Sequence, residues 1–263
     1  MPKISRYITK AGTPPESLIP IETANLDGKY VSRLWNLSQN AHRGKMRPQV
    51  CDFSGTANLP GVTVSPFTAT AIGAGSVWIP STNHSNHPGI ISLICWGLNN
   101  GYSINNGGAS AILIGGGEIA EAIWYVNPSG GRPITDSKIN FGFLDLFNGG
   151  FPTDGALIQL SAGSITGYTV NNTVSSATGT SYACAVSTWY RTKIVVNSTA
   201  TRVDFYVYSA AGAVLWTDYL TTNIPTAAGR ETGFGITAYS NVAANHEVYM
   251  DYMAYYNNKE LTR

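Results

Sequence analysis

From Trp189 to Asn197 every second side chain is apolar or β-branched. Tyr190, Thr192, Ile194 and Val196 fall on one side, Arg191 and Lys193 on the other. A strand turns successive side chains to opposite faces, so this period describes a strand with one dry and one wet face. Asn197-Ser198-Thr199-Ala200 interrupts the pattern and Val203, Phe205 and Val207 resume it. Ala210-Ala211-Gly212 interrupts it again before Val214 to Leu220 returns. Three strands joined by such short turns make an antiparallel meander. Its dry face must be buried against another layer, and with no βα alternation in the chain that layer is a second sheet.

Upstream segments repeat the vocabulary. Gly89 to Trp96 is a near-continuous apolar run, as expected of a buried strand, and Asn99-Asn100-Gly101 supplies a turn. Ala111 to Ile114 reads as a short strand ended by Gly115-Gly116-Gly117, and Glu118 to Val126 as a longer one. Lys138 to Leu146 alternates Ile139, Phe141 and Phe143; Gly155 to Leu160 alternates Ala156, Ile158 and Leu160; Asn148 to Gly155 is a loop by composition. Beyond the Pro225 to Arg230 loop, Gly233 to Tyr239 is a strand. Glu247 to Tyr256 closes the pattern with Val248, Met250, Tyr252 and Ala254 expected on one face. About ten to twelve strands at this spacing predict an all-β, two-sheet antiparallel sandwich. No repeat of propeller or solenoid length is present.

The expected domains are an N-terminal arm over residues 1–50, a sandwich over 51–258 and a tail over 259–263. The arm holds a dense share of the charges, among them Lys3, Arg6, Lys10, Glu16, Glu22 and Arg43, and Pro14, Pro15 and Pro20 interrupt any early helix. Leu26 to Gln39 has helical spacing through Leu26, Tyr30, Leu34 and Leu37. Met1 to Arg6 has no apolar core, so no secretory signal is expected. No run of 18 apolar residues occurs, so no membrane-spanning helix is expected. Charged residues are 12% of the chain and the net charge is +1, with no Lys/Arg block. Counterion release then offers little, and nucleic acid is not an expected partner. Cys51, Cys95 and Cys184 are odd in number and widely spread, so no disulfide framework is expected.

The segments Ser187-Thr188-Trp189-Tyr190-Arg191-Thr192-Lys193-Ile194-Val195-Val196-Asn197 and Ala200 to Tyr208, with Thr222-Asn223-Ile224-Pro225 and Val248-Tyr249-Met250-Asp251-Tyr252, resemble the concanavalin A-like lectin/glucanase jelly roll. In particular they resemble versions found in bacteriophage tail and capsid-surface proteins. It covers about residues 52–257 and leaves the first 49 outside. It implies a jelly-roll sandwich in a non-enzymatic virion structural protein, tail-associated or on the capsid surface. Such a protein would be assembled in the host cytoplasm, joined to other virion proteins through its arm, and homo-oligomeric, with a trimer expected. It would contact the host surface, with a host glycan as one partner. A carbohydrate-binding receptor module and a polysaccharide-degrading enzyme are the alternatives. The resemblance carries over no catalytic or sugar-binding residue.

The residues themselves nominate no catalytic group, metal ligand or cofactor. Glycosidases need paired carboxylates converging on one cleft. Glu118 and Glu121 are three apart and face opposite ways on a strand, and Asp251 stands alone. These are expected to be surface or loop acids. His84 and His87 could hold a metal only if His246 or a carboxylate joined them, and His42 is expected to be solvated. Gly115-Gly116-Gly117 lacks the Lys-Ser/Thr of a phosphate loop. Asn36 and Asn197 lie in glycosylation patterns that mean little without secretion. Aromatics are the rich resource: Trp78, Trp96, Trp124, Trp189 and Trp216 lie along strands, and Tyr249, Tyr252, Tyr255 and Tyr256 cluster near the end. An exposed ring can stack on a sugar; a buried one supplies core. Tyr249 and Tyr255 are expected on the outer face, suited to a protein contact.

Overall fold

The computed structural model describes residues 49–52, 63–64, 67–78, 90–106, 111–127, 133–243 and 245–257. The readings placed on the arm, its helix, His42, His84, His87, Asn36 and the tail after 258 lie outside these residues. Seventeen strands occur among the described residues: β1 Gln49–Asp52, β2 Thr63–Val64, β3 Phe67–Ile72, β4 Ser76–Trp78, β5 Ile91–Trp96, β6 Gly101–Asn105, β7 Glu118–Asn127, β8 Ser137–Leu144 and β9 Gly155–Ser161. These are followed by β10 Ser164–Asn171, β11 Val174–Ala177, β12 Tyr182–Ala183, β13 Trp189–Val196, β14 Val203–Ser209, β15 Val214–Leu220, β16 Gly233–Ser240 and β17 Asn245–Asn257. No described helix is long and apolar enough to cross a membrane.

The strands form two antiparallel sheets. One runs β15-β14-β13-β7-β17-β5-β4, with β1 also on β17; the other runs β11-β10-β9-β8-β16-β6-β3-β2, with β12 on β10. The meander appears as β13, β14 and β15 side by side. Its first turn is held by Asn197, whose Oδ1 accepts the backbone N–H groups of Thr201 and Arg202 at 2.8 and 3.1 Å. Alternate residues of both sheets meet in one core. Tyr190, Ile194, Val196, Val203, Phe205 and Val207 come from the meander, and Phe141, Phe143, Ile158, Phe234 and Ile236 from the facing sheet. Phe234 packs edge-on to Phe67 and Phe141, with ring centroids 5.8 Å away in each case. Such pairs add directional attraction to the area they bury.

Three expectations need correction. Ala111 to Ile114 is not a strand: Ile112 makes one isolated bridge to Thr232, with its N–H 2.7 Å from the Thr232 carbonyl. Both sides of β16 are already taken by β6 and β8, so this segment pairs only at its tip. The expected strand count is also too low: β1 to β4 and β6 lie before Ala111, and β10 to β12 lie between Ser164 and Ala183. On β10 the inward residues are Ile165, Gly167 and Thr169, which carry little apolar signal. Gly167 sits where a Cβ would meet the Phe205 ring at 2.6 Å. Finally, β17 does not keep its period. Met250 pairs with Trp124 and Tyr252 with the next residue, Ile123, leaving Asp251 as an extra residue. A bulge of this kind shifts the alternation by one. Val248 and Met250 point inward before it, and Met253 and Tyr255 after it. Tyr255 is therefore core, 5% exposed and edge-on to Phe143, instead of an outer contact residue.

Candidate functional site

The structure separates the aromatics by role. Trp124 is buried, and its indole N–H donates to Thr192 Oγ1 at 3.1 Å. Trp216 is half-buried against the core edge and donates to Thr180 Oγ1 at 3.0 Å. Trp96 and Trp189 instead belong to the outward face of the eight-stranded sheet. Trp96 is 45% exposed, with its indole N–H fixed on Ser76 Oγ at 2.8 Å, and Trp189 is half-buried.

Cross-strand register assembles the site between them. Trp189 on β13 lies opposite Tyr125 on β7, which lies opposite Tyr249 on β17. Their rings form a ladder, with centroids 5.1 Å apart for Trp189–Tyr125 and 5.6 Å for the stacked Tyr125–Tyr249 pair. Cross-strand aromatic pairs of this sort stiffen a sheet face. One step along the same strands, Asn127 and Glu247 are also in register. Asn127 Nδ2 donates to Glu247 Oε2 at 2.8 Å and to the Tyr249 hydroxyl at 2.7 Å. That hydroxyl donates in turn to Glu247 Oε2 at 2.9 Å. Burial, followed by the Glu247 carboxylate, pushes the Tyr249 phenol well above its ordinary range, so it stays a donor. The result is a fixed carboxylate, amide and hydroxyl on β7 and β17. Trp189 flanks them on β13, and Trp96 on β5. Planar polar groups can hydrogen-bond the hydroxyls of a sugar, and the exposed Trp96 and half-buried Trp189 indoles beside them can stack on its apolar face.

The same face continues over β13 and β14. Arg191 Nε lies 2.6 Å from Glu121 Oε1, and its guanidinium is 5.1 Å from the Tyr208 ring centroid. Burial opposes the Arg191 charge, but the Glu121 carboxylate outweighs it and holds the group protonated more firmly than usual. Tyr208 stacks on Tyr206 at 5.9 Å. By contrast, the outward face of the nine-stranded sheet is closed by its own loop between β8 and β9. Phe147 lies so near Gly235 that a Cβ there would meet its ring at 2.7 Å. Asn140 Nδ2 donates to the Gly150 carbonyl at 3.3 Å.

The remaining candidates resolve as follows. Glu118 and Glu121 are buried, not surface acids as expected. Glu118 is enclosed because its carboxylate accepts the N–H groups of Gly115 and Gly116 at 3.0 and 2.8 Å, closing the glycine turn; Glu121 is enclosed by its Arg191 pair. Asp251 is buried in the bulge, far in role from either. His246 is buried, and no group of three metal-ligating side chains occurs among the described residues. Burial pushes the thiols of Cys95 and Cys184 up to about 12, which disfavours the reactive thiolate form of each. Trp189 and Tyr249 were visible candidates in the sequence. Asn127 and Glu247 were not, since 120 residues separate them and only the sheet register joins them.

Residues 86–251 match the family described as "SO2946-like, C-terminal domain". Among solved structures, the chain is similar to SO2946 of Shewanella oneidensis MR-1, a protein of unknown function. There the TM-score is 0.69 at 16% identity, covering 92% of this chain and 99% of that one. It is also similar to peanut lectin, with a TM-score of 0.55 at 10% identity, covering 81% and 98%. The carbohydrate recognition domain of Emp47p gives a TM-score of 0.52 at 13% identity, covering 80% and 95%. No curated protein sequence matches the chain. The fold is thus the lectin-like jelly roll that the meander and its closing strand resemble.

Proposed function

Because this chain belongs to the SO2946-like, C-terminal domain family and carries a lectin-like sandwich, we propose that it is a non-catalytic carbohydrate-recognition module. The observation that carries this reading is the Asn127–Glu247–Tyr249 hydrogen-bonded cluster held between Trp96 and Trp189 on the outward face of one sheet. The cluster is pre-organised by its own bonds, which lowers the ordering cost of binding. A binding role is further supported by the similar structures, which include a lectin and a carbohydrate recognition domain. Cleavage has less support, because Glu118 and Glu121 face opposite sides of β7 and both are engaged.

A glycan array followed by titration calorimetry tests the proposal. Selective binding is expected, weakened at least about tenfold, a loss of ~1.4 kcal/mol, by Trp189→Ala and by Glu247→Gln. Thermal unfolding of each variant confirms that it folds. An array with no selective signal, or full binding by both variants, would overturn the reading.

The proposal extends to the setting in which the module works. The likeness of the meander to bacteriophage tail and capsid-surface domains supports a homo-oligomeric virion component. Residues 1–50 would attach it to other virion proteins, and many weak copies would add up to avidity at a host surface. Mass spectrometry of purified particles, with light scattering of the isolated protein, tests this. Absence from particles would remove the viral setting and leave glycan recognition standing.

A further inference from the structure

Resting on the carbohydrate reading, we infer that the ligand is an extended, uncharged polysaccharide segment laid across the strands, not a single terminal sugar and not an acidic glycan. The rings carry the first half of the argument. Trp96, Tyr249, Tyr125, Trp189 and Tyr208 sit on β5, β17, β7, β13 and β14, which are consecutive neighbours in the sheet. All five belong to its outward face, since the alternate residues Cys95, Val248, Trp124, Tyr190 and Val207 line the core. Five adjacent strands at ~4.8 Å spacing span roughly 19 Å across the sheet, and the register offset from Trp96, level with Asn245, to Tyr208, level with Arg191 and Ile123, adds about 20 Å along the strands, so the track runs obliquely over roughly 28 Å, the length of an oligosaccharide of several residues. The exposed or half-exposed rings are Trp96, Trp189 and Tyr208. The buried pair Tyr125 and Tyr249 lies between them as a floor, with the polar cluster beside it. Stacking sites therefore recur along the track, with the hydrogen-bonding groups in its middle.

Charge carries the second half. Arg191 is paired with Glu121, and Arg202 with Asp204 through Nε at 2.8 Å. Lys193 lies in register with Glu121. Among the described residues, the carboxylate at the centre of the track is Glu247, which would repel a uronic or sialic acid carboxylate. The face offers neutral and acceptor groups to hydroxyls and no unmatched guanidinium to an anion.

The experiment titrates the full chain with neutral oligosaccharides of glucose, galactose and mannose, from the monosaccharide to the hexasaccharide, and with uronic acid oligomers of the same lengths. Affinity for one neutral series is expected to climb by about a hundredfold with length, since linked contacts act at high effective concentration. Tyr208→Ala is expected to remove the last part of that gain and leave the shortest binding members unchanged. Trp189→Ala should weaken every length. Equal affinity for monosaccharide and hexasaccharide would overturn the extended track while leaving carbohydrate recognition intact. Tighter, salt-sensitive binding of the acidic series would overturn the neutral class. Binding of no oligosaccharide at any length would overturn both this inference and the reading it rests on.

Discussion

The bulge at Asp251 makes opposite demands on two tyrosines three residues apart. Unbroken alternation from Val248 would put Tyr252 in the core and Tyr255 in solvent; the register of β17 on β7 does the reverse. Tyr255 is 5% exposed and touches two rings, Phe143 at 5.7 Å and Phe234 at 5.8 Å. A buried aromatic side chain removes about 200 Å² from water, worth roughly 5 kcal/mol at 25 cal/mol/Å² as an upper bound. Truncation of such rings to Ala costs about 3–5 kcal/mol once the cavity is counted. Tyr252 stays half-buried on the outward face, where truncation costs about 1 kcal/mol or less. Tyr255→Ala should therefore be less stable than Tyr252→Ala by about 3 kcal/mol. In urea, followed by tryptophan fluorescence, an m-value of about 3 kcal/mol/M separates the two midpoints by about 1 M. Equal midpoints, or a lower midpoint for Tyr252→Ala, would refute the bulge and the inward placement of Tyr255.

Alkaline stability is the second expectation. Burial pushes Tyr255 and Tyr256 up to about 12, above the ordinary phenol value near 10. A raised folded-state value means that the folded chain holds these protons more tightly. The stability they contribute is complete below about pH 10 and is lost as pH rises to about 12. Tyr255→Phe should flatten that decline in a pH series of unfolding curves, and an unchanged slope would count against it. Gly167→Ala should destabilise by about 1–3 kcal/mol through overpacking, and Phe205→Leu, which removes the clashing ring, should offset part of that loss. Additive effects in this double-mutant cycle would argue against their contact. In a Cys51→Ser background, a thiol reagent at pH 8 should react slowly with the folded chain and with both Cys95 and Cys184 once it is unfolded. Rapid modification without denaturant would contradict their placement.

Period two in the chain was enough to specify the sandwich, because an alternating strand has one dry face and only another sheet can cover it. The meander shows this, with Tyr190, Ile194, Phe205 and Val207 all inward as their spacing requires. It was not enough for β10, where Gly167 yields its volume to a ring from the other sheet. Nor was it enough for the end of β17, where one extra residue relative to β7 reversed the faces. Asn127 meets Glu247, and Trp189 meets Tyr125, only because β13, β7 and β17 are neighbours in a given register. Side-chain alternation is a local property of backbone geometry and can be read residue by residue. Strand order, register and bulges are settled by the competition of whole strands for partners, and that competition exists only in the folded chain.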